Sequence, residues 1–201
     1  MNDEVVGSMA EMISLMLTDF DKKDEETQVR SVLQVIPFFK EIFSNLTQSS
    51  QKNQQLSKTS SSFFSASGKC IKSIVKDEND LNMFTTFFNE FILSPLASYC
   101  SESIFQLFST ILSLSNVSND KLSAFITPFN SFFQVPSLRS VFIKKEGLST
   151  IWLTYLSEPE NPLVTLSFDQ FLQNHQSFMV PNFVAQIDKF LSITSSKFAD
   201  L

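Results

Sequence analysis

Apolar residues recur at helical spacing along nearly the whole chain. Val5, Met9, Met12, Ile13, Met16 and Leu17 form a first stripe. An acidic break from Asp19 to Glu26 follows it. Val29, Val32, Leu33, Ile36, Phe39, Ile42, Phe43 and Leu46 form a second stripe. Pro37 lies inside this stripe and should kink or split the helix. Its ring carries no N–H and crowds the preceding turn. The Ser/Gln-rich stretch from Gln48 to Ser67 has weak periodicity, and the expectation is a flexible loop over 48–62 running into a helix near Ser60. Cys70, Ile71, Ile74 and Val75 then predict a short helix. Leu81, Phe84, Phe87, Phe88 and Phe91 predict another, with Asp80 as its N-cap.

Prolines punctuate the rest. Pro95, Pro136, Pro162 and Pro181 read as helix starters, because a first-turn position has no helical N–H bond to lose. Ser94 and Asn161 stand before two of them as caps, and Asn119-Asp120 marks a further start. Pro159 fits a loop. Pro128 falls inside "AFITPFNSFF" and should kink that helix.

Composition narrows the class. The chain has 201 residues, of which 43% are hydrophobic, enough for a sizeable core in one domain or one short repeat array. Twenty-three are Phe, and burying one such ring is worth about 1.5–3 kcal/mol, so most must face inward. Three Gly leave little material for tight β-turns, which need positive φ. The fold class expected is therefore all-α.

The repeat comes next, because periods of 20–50 residues define whole architectures. "LSNVSNDKL" at 114–122 matches "LSEPENPLV" at 156–164, an offset of 42. At that offset Ile126 meets Phe168 and Phe129 meets Phe171. "VPSLRSVF" from Val135 matches "VPNFVAQI" from Val180, an offset of 45, and a weaker copy starts at Ser94. Each unit would hold a proline-started helix, a second apolar helix, a polar loop and a third helix.

Segment 136–174 resembles an armadillo repeat. "PSLRSVFIKKE" would be the short first helix, Gly147 the corner, "LSTIWLTYL" the second helix and "NPLVTLSFDQFLQN" the third. Glycine suits that corner in two ways. It tolerates the left-handed conformation that closes a helix, and its missing side chain lets two helices meet closely. The preceding unit has Phe105 where the glycine would fall. That departure leaves HEAT-like hairpins or an irregular helical bundle as alternatives. The resemblance implies a right-handed α-solenoid whose third helices line a groove. The groove's polar residues would be Lys121, Thr127, Asn130 and Gln134 from one unit, and Thr165, Asp169, Gln173 and Asn174 from the next. Asn174 matches the family's groove asparagine, which hydrogen-bonds an extended peptide.

Charge and candidate chemistry add exclusions. The net charge is −6 and basic residues cluster no more densely than the doublet Lys144-Lys145, so no nucleic-acid partner is expected. Cys70 and Cys100 read as small buried hydrophobes, which fits a reducing, cytoplasmic setting. The acidic N-terminus lacks a signal-peptide pattern. No apolar run approaches the roughly 20 residues of a membrane span, so no membrane insertion is expected. The sequons at Asn45 and Asn116 read as chance in a Ser-rich chain. His175 is the single histidine and reads as a helix-end residue matched to the dipole. The acids between Asp19 and Glu26 lack the Gly and ligand spacing of a calcium loop. No phosphate loop or catalytic signature occurs. No catalytic, cofactor or metal residue is therefore assigned.

These readings point to one helical-repeat domain over 1–201, a size that also fits one segment of a longer scaffold. Its expected role is non-catalytic binding of a partner protein or peptide. The alternative is a regulatory subunit of a larger trafficking, cytoskeletal or signalling assembly, and the contrasting class is an enzyme of unrecognised type.

Overall fold

The computed structural model describes residues 2–46, 54–174, 189 and 191–196, with backbone only at 2, 168 and 170–174. Every regular element among them is helical. The helices are α1 (Asn2–Met16), α2 (Glu25–Asn45), α3 (Gln54–Ile74), α4 (Glu78–Leu93), α5 (Ser101–Leu112), α6 (Asn119–Ser123), α7 (Ile126–Gln134), α8 (Pro136–Lys144), α9 (Gly147–Ser157) and α10 (Pro162–Asn174). Short 3-10 helices occupy Phe20–Lys22 and Pro95–Tyr99.

The first helices form for the reasons their stripes suggest, with adjustments. Val6, Ala10, Ile13 and Leu17 carry the buried face of α1, while Met12 turns to solvent. Pro37 does not split α2. Its ring lies on the exposed side of the helix. Val35, Ile36, Phe39 and Ile42 hold the opposite side in the core. One missing backbone bond does not outweigh four buried side chains, each worth about 1.5–3 kcal/mol.

The stretch expected as a loop is helical from Gln54 onward, and Cys70 to Ile74 forms its last turn rather than a separate short helix. Residues 48–53 lie outside the described residues. The buried face of α3 includes Thr59, Ser60, Ala66 and Ser67 beside Leu56, Phe63 and Phe64. Small hydroxyl residues hide this period from a hydropathy reading. The Thr59 hydroxyl donates to the Ala10 carbonyl at 3.2 Å and meets the Ser14 hydroxyl at 2.9 Å, so α3 and α1 satisfy each other's polar groups.

Caps and prolines set the later boundaries. Asp77, not Asp80, caps α4: its Oδ1 accepts from the Asn79 and Asp80 amides at 2.9 and 3.0 Å. Pro136 and Pro162 start α8 and α10 as expected, whereas Pro95 starts only the 3-10 helix Pro95–Tyr99 and α5 begins at Ser101; Asn161 Oδ1 accepts from the Leu163 amide at 3.0 Å. Pro181 lies outside the described residues. Pro128 does not kink its helix, because the break comes earlier, between α6 and α7. Pro128 is the third residue of α7, where an N–H has no helical partner.

The corner at Gly147 differs from expectation in a specific way. The left-handed residue is Glu146, with φ 56°, and Gly147 has no positive φ. Gly147 opens α9 directly against the Phe142 ring, and a Cβ there would overlap the ring carbons. The glycine is required by close approach, not by backbone hand.

The rings gather into two groups. Phe39, Phe63, Phe64, Phe87 and Phe91 pack mostly edge-to-face, with centroids 4.7–5.7 Å apart in contacts such as Phe64–Phe91 and Phe39–Phe91. Phe108 stacks on Phe129 at 4.1 Å and on Phe132 at 4.5 Å, and meets Phe142 edge-on. Offset and edge-on geometries are those that ring quadrupoles favour. Of the four Phe-Phe doublets, only Phe38 is partly exposed.

Packing follows chain order. α2 packs on α4, α4 on α7 and α7 on α10. In parallel, α3 packs on α5, and α5 on α8 and α9. Side-chain bonds echo this order. Apart from local bonds of eight positions or fewer, those described join residues 41 to 51 positions apart, from Gln55–Ser14 to Lys76–Glu25. Lys40–Glu90, Ser131–Asn89, Lys69–Asp21 and Asn161–Leu112 all fall in that band. The segments 94–134 and 136–174 both hold a proline-started helix, an apolar helix and a closing helix, but α6 stands as an extra helix in the first, and its proline-started element is a short 3-10 helix.

Candidate functional site

Apart from Lys121, the residues expected to line a groove fall on two helices that pack together, α7 and α10. On α7, Thr127, Asn130 and Gln134 lie three and four positions apart, which places them on one face. Thr127 and Gln134 are exposed and Asn130 is half-buried. The Oδ1 atom of Asn130 is buried without a hydrogen-bond partner. An acceptor left so costs about 1–3 kcal/mol unless something donates to it. On α10, Thr165 and Asp169 are exposed one turn apart. Gln173 and Asn174 close α10, and their side chains lie outside the described residues. The α7 helix is fixed on its other side by α4, where the Ser131 hydroxyl donates to Asn89 Oδ1 at 2.6 Å. Asn130 and Gln134 are thus presented by a helix held on two flanks.

Lys121 belongs elsewhere. It stands on α6, and its ammonium donates to the Lys76 carbonyl at 2.8 Å, just past the end of α3. There it joins Lys72, Val75, Lys76, Val117 and the loop 115–118 around a cleft of about 340 Å³. Sequence reasoning placed Lys121 by repeat register alone. It missed Lys72 and Lys76, which come from a unit some 45 residues earlier. A bond spanning that distance leaves no mark in a local pattern.

A second cleft, of about 350 Å³, runs between α2 and α4, with Val29, Leu33 and Met83 as its apolar part and Arg30, Gln34 and Asp80 around them. Arg30 is paired with Glu26 at 2.8 Å.

The two thiols are poorly suited to act as nucleophiles. Cys70 and Cys100 are both free and buried, as expected. Burial pushes the Cys70 thiol up to about 12 and raises that of Cys100 as well. Neither supplies thiolate near neutral pH. Among the described residues, no three His, Cys, Asp or Glu side chains are grouped to hold a metal ion. No helix among them is long and apolar enough to cross a membrane. His175 lies outside the described residues. In comparisons with known proteins, no family model, no curated protein and no solved structure matches this chain.

Proposed function

We propose that the protein is a non-catalytic α-solenoid scaffold of the armadillo/HEAT kind that binds a partner protein or peptide. The observation that carries this reading is the 41-to-51 band of side-chain bonds between helices. Stacked repeats touch only their neighbours, so their contacts stay within about one repeat length. The proline-started, apolar and closing helices common to 94–134 and 136–174 support the same reading. Such a stack offers long helical faces rather than an enclosed pocket. The face formed by α7 and α10 is the binding surface in this proposal. Gln134 and Asp169 supply exposed polar contacts there.

The test is a quantitative affinity capture from cell extract with isotope-labelled wild type against Gln134→Arg and Asp169→Arg. Both positions are exposed, so neither change should alter the thermal unfolding curve by more than about 0.5 kcal/mol. Proteins enriched by wild type should fall at least about fivefold with each variant, equal to about 1 kcal/mol of binding. Capture that is indifferent to both changes would remove this face from consideration.

A further inference from the structure

We propose that the cleft between the end of α3 and the loop before α6 binds a phosphorylated serine or threonine on a partner peptide. Lys72, Lys76 and Lys121 line it together with Ser115, Asn116 and Ser118, and Val75 and Val117 complete the lining. No carboxylate belongs to that lining. This is unusual in a chain with 21 acidic and 15 basic residues. The other described clefts bear acids among their cations or hold Lys69, which is paired with Asp21 at 2.6 Å.

The local charges leave two cations unneutralised. Lys76 is paired with Glu25 at 2.9 Å. Lys121 donates to a carbonyl, which orients its ammonium but leaves its charge whole. Lys72 is exposed and makes no described ion pair. The nearby Asp77 carboxylate is committed to the N-terminus of α4. Two free positive charges match a phosphate monoester, which carries about −1.5 to −2 at neutral pH. The Ser115, Ser118 and Asn116 side chains add neutral donors for its remaining oxygens.

The choice of a peptide rests on the protein-binding proposal above and on Val117, which is half-buried beside the cations, while Val75 is buried beneath the cleft. Val117 gives aliphatic contact to a residue flanking the phosphate, which free phosphate would not use. A nucleic-acid strand fits less well, because its many phosphates would meet a molecule of net charge −6.

The test is a titration of the full chain, labelled with nitrogen-15, followed by amide NMR. Four probes are compared: a short phosphoserine peptide flanked by valines, its unphosphorylated form, inorganic phosphate and a short single-stranded oligonucleotide. The phosphopeptide should move the amides of Val75, Lys76 and 115–118, and the unphosphorylated form should not. Lys72→Glu should weaken phosphopeptide binding at least tenfold, and Lys72→Arg should retain it. Lys72 is exposed on the last turn of α3, so the fold tolerates both changes. Any of three results would overturn the proposal: no shift at these amides, equal shifts with inorganic phosphate or the oligonucleotide, or binding indifferent to Lys72→Glu. Binding here is read without the α7–α10 face, so failure of that face leaves this result standing, and the reverse.

Discussion

Gly147 and its neighbour divide the work of one corner. Glu146 takes the left-handed turn, at a cost of roughly 1 kcal/mol for a side-chain-bearing residue. Gly147 lets α9 start against Phe142. Gly147→Ala should therefore destabilise the protein by about 1–3 kcal/mol through overpacking. Combining it with Phe142→Leu should cost clearly less than the sum of the two single changes, because the smaller side chain makes room. Urea unfolding of the four proteins checks this, and simple additivity would contradict the steric cause. Two carboxylates make a second comparison. Asp77→Ala should cost about 1 kcal/mol because it removes the α4 cap, while Asp80→Ala should cost far less. Burial, with Asp77 adding repulsion, raises the Asp80 carboxyl above its usual range, so ionised Asp80 slightly opposes folding. Asp24 has the opposite sign. The Thr27 amide and hydroxyl hold its carboxyl below the usual range. Its contribution is present above the unfolded value, about 3.9, and is lost as pH falls through the lower folded value. Between about pH 4.5 and 2, wild type should lose more stability than Asp24→Asn, as read by urea midpoints.

At the scale of elements, two prolines in α-helices have opposite expected effects. Pro37 sits in the thirteenth position of α2, where Ala would restore a backbone bond. Pro37→Ala should stabilise the protein by about 1–2 kcal/mol, after the greater freedom of the unfolded chain is deducted. Pro128→Ala restores no bond, so it should be neutral or mildly destabilising. Thermal unfolding of the two variants separates them. The boundaries of α8, α9 and α10 were legible in sequence because prolines, Asn161 and a polar loop mark them. The first half of α3 was not. Its buried face uses Thr59, Ser60 and Ser67, whose hydropathy matches that of a loop. Gly147 was legible as a corner, but its φ was not, since close approach and left-handed backbone both favour glycine.

At the scale of the molecule, a stack should be longer than a sphere of equal mass. A compact domain of this length has a radius of gyration of about 16.5 Å. Small-angle scattering should give a clearly larger value with an asymmetric distance distribution. A value at the compact limit would count against the solenoid. The 42-residue offset was legible in sequence because caps and prolines recur along with apolar positions. Of the candidate surface, the helical period put Asn130, Gln134 and Asp169 on helices, and α7 and α10 hold them. The regrouping of Lys121 with Lys72 and Lys76 could not be read this way, because it depends on where α3 ends in space.

The narrow span of the bonds between helices also bears on how the chain reaches this state. Closing a loop costs entropy that grows with its length, and here no described side-chain bond asks for a loop beyond 51 residues. In the proposed stack, chain collapse proceeds unit by unit, and loss of structure proceeds the same way. Amide hydrogen exchange should then show protection graded along the sequence rather than one common opening. In the proposed stack, amides in the middle of the chain should keep their protection longer than those at the ends.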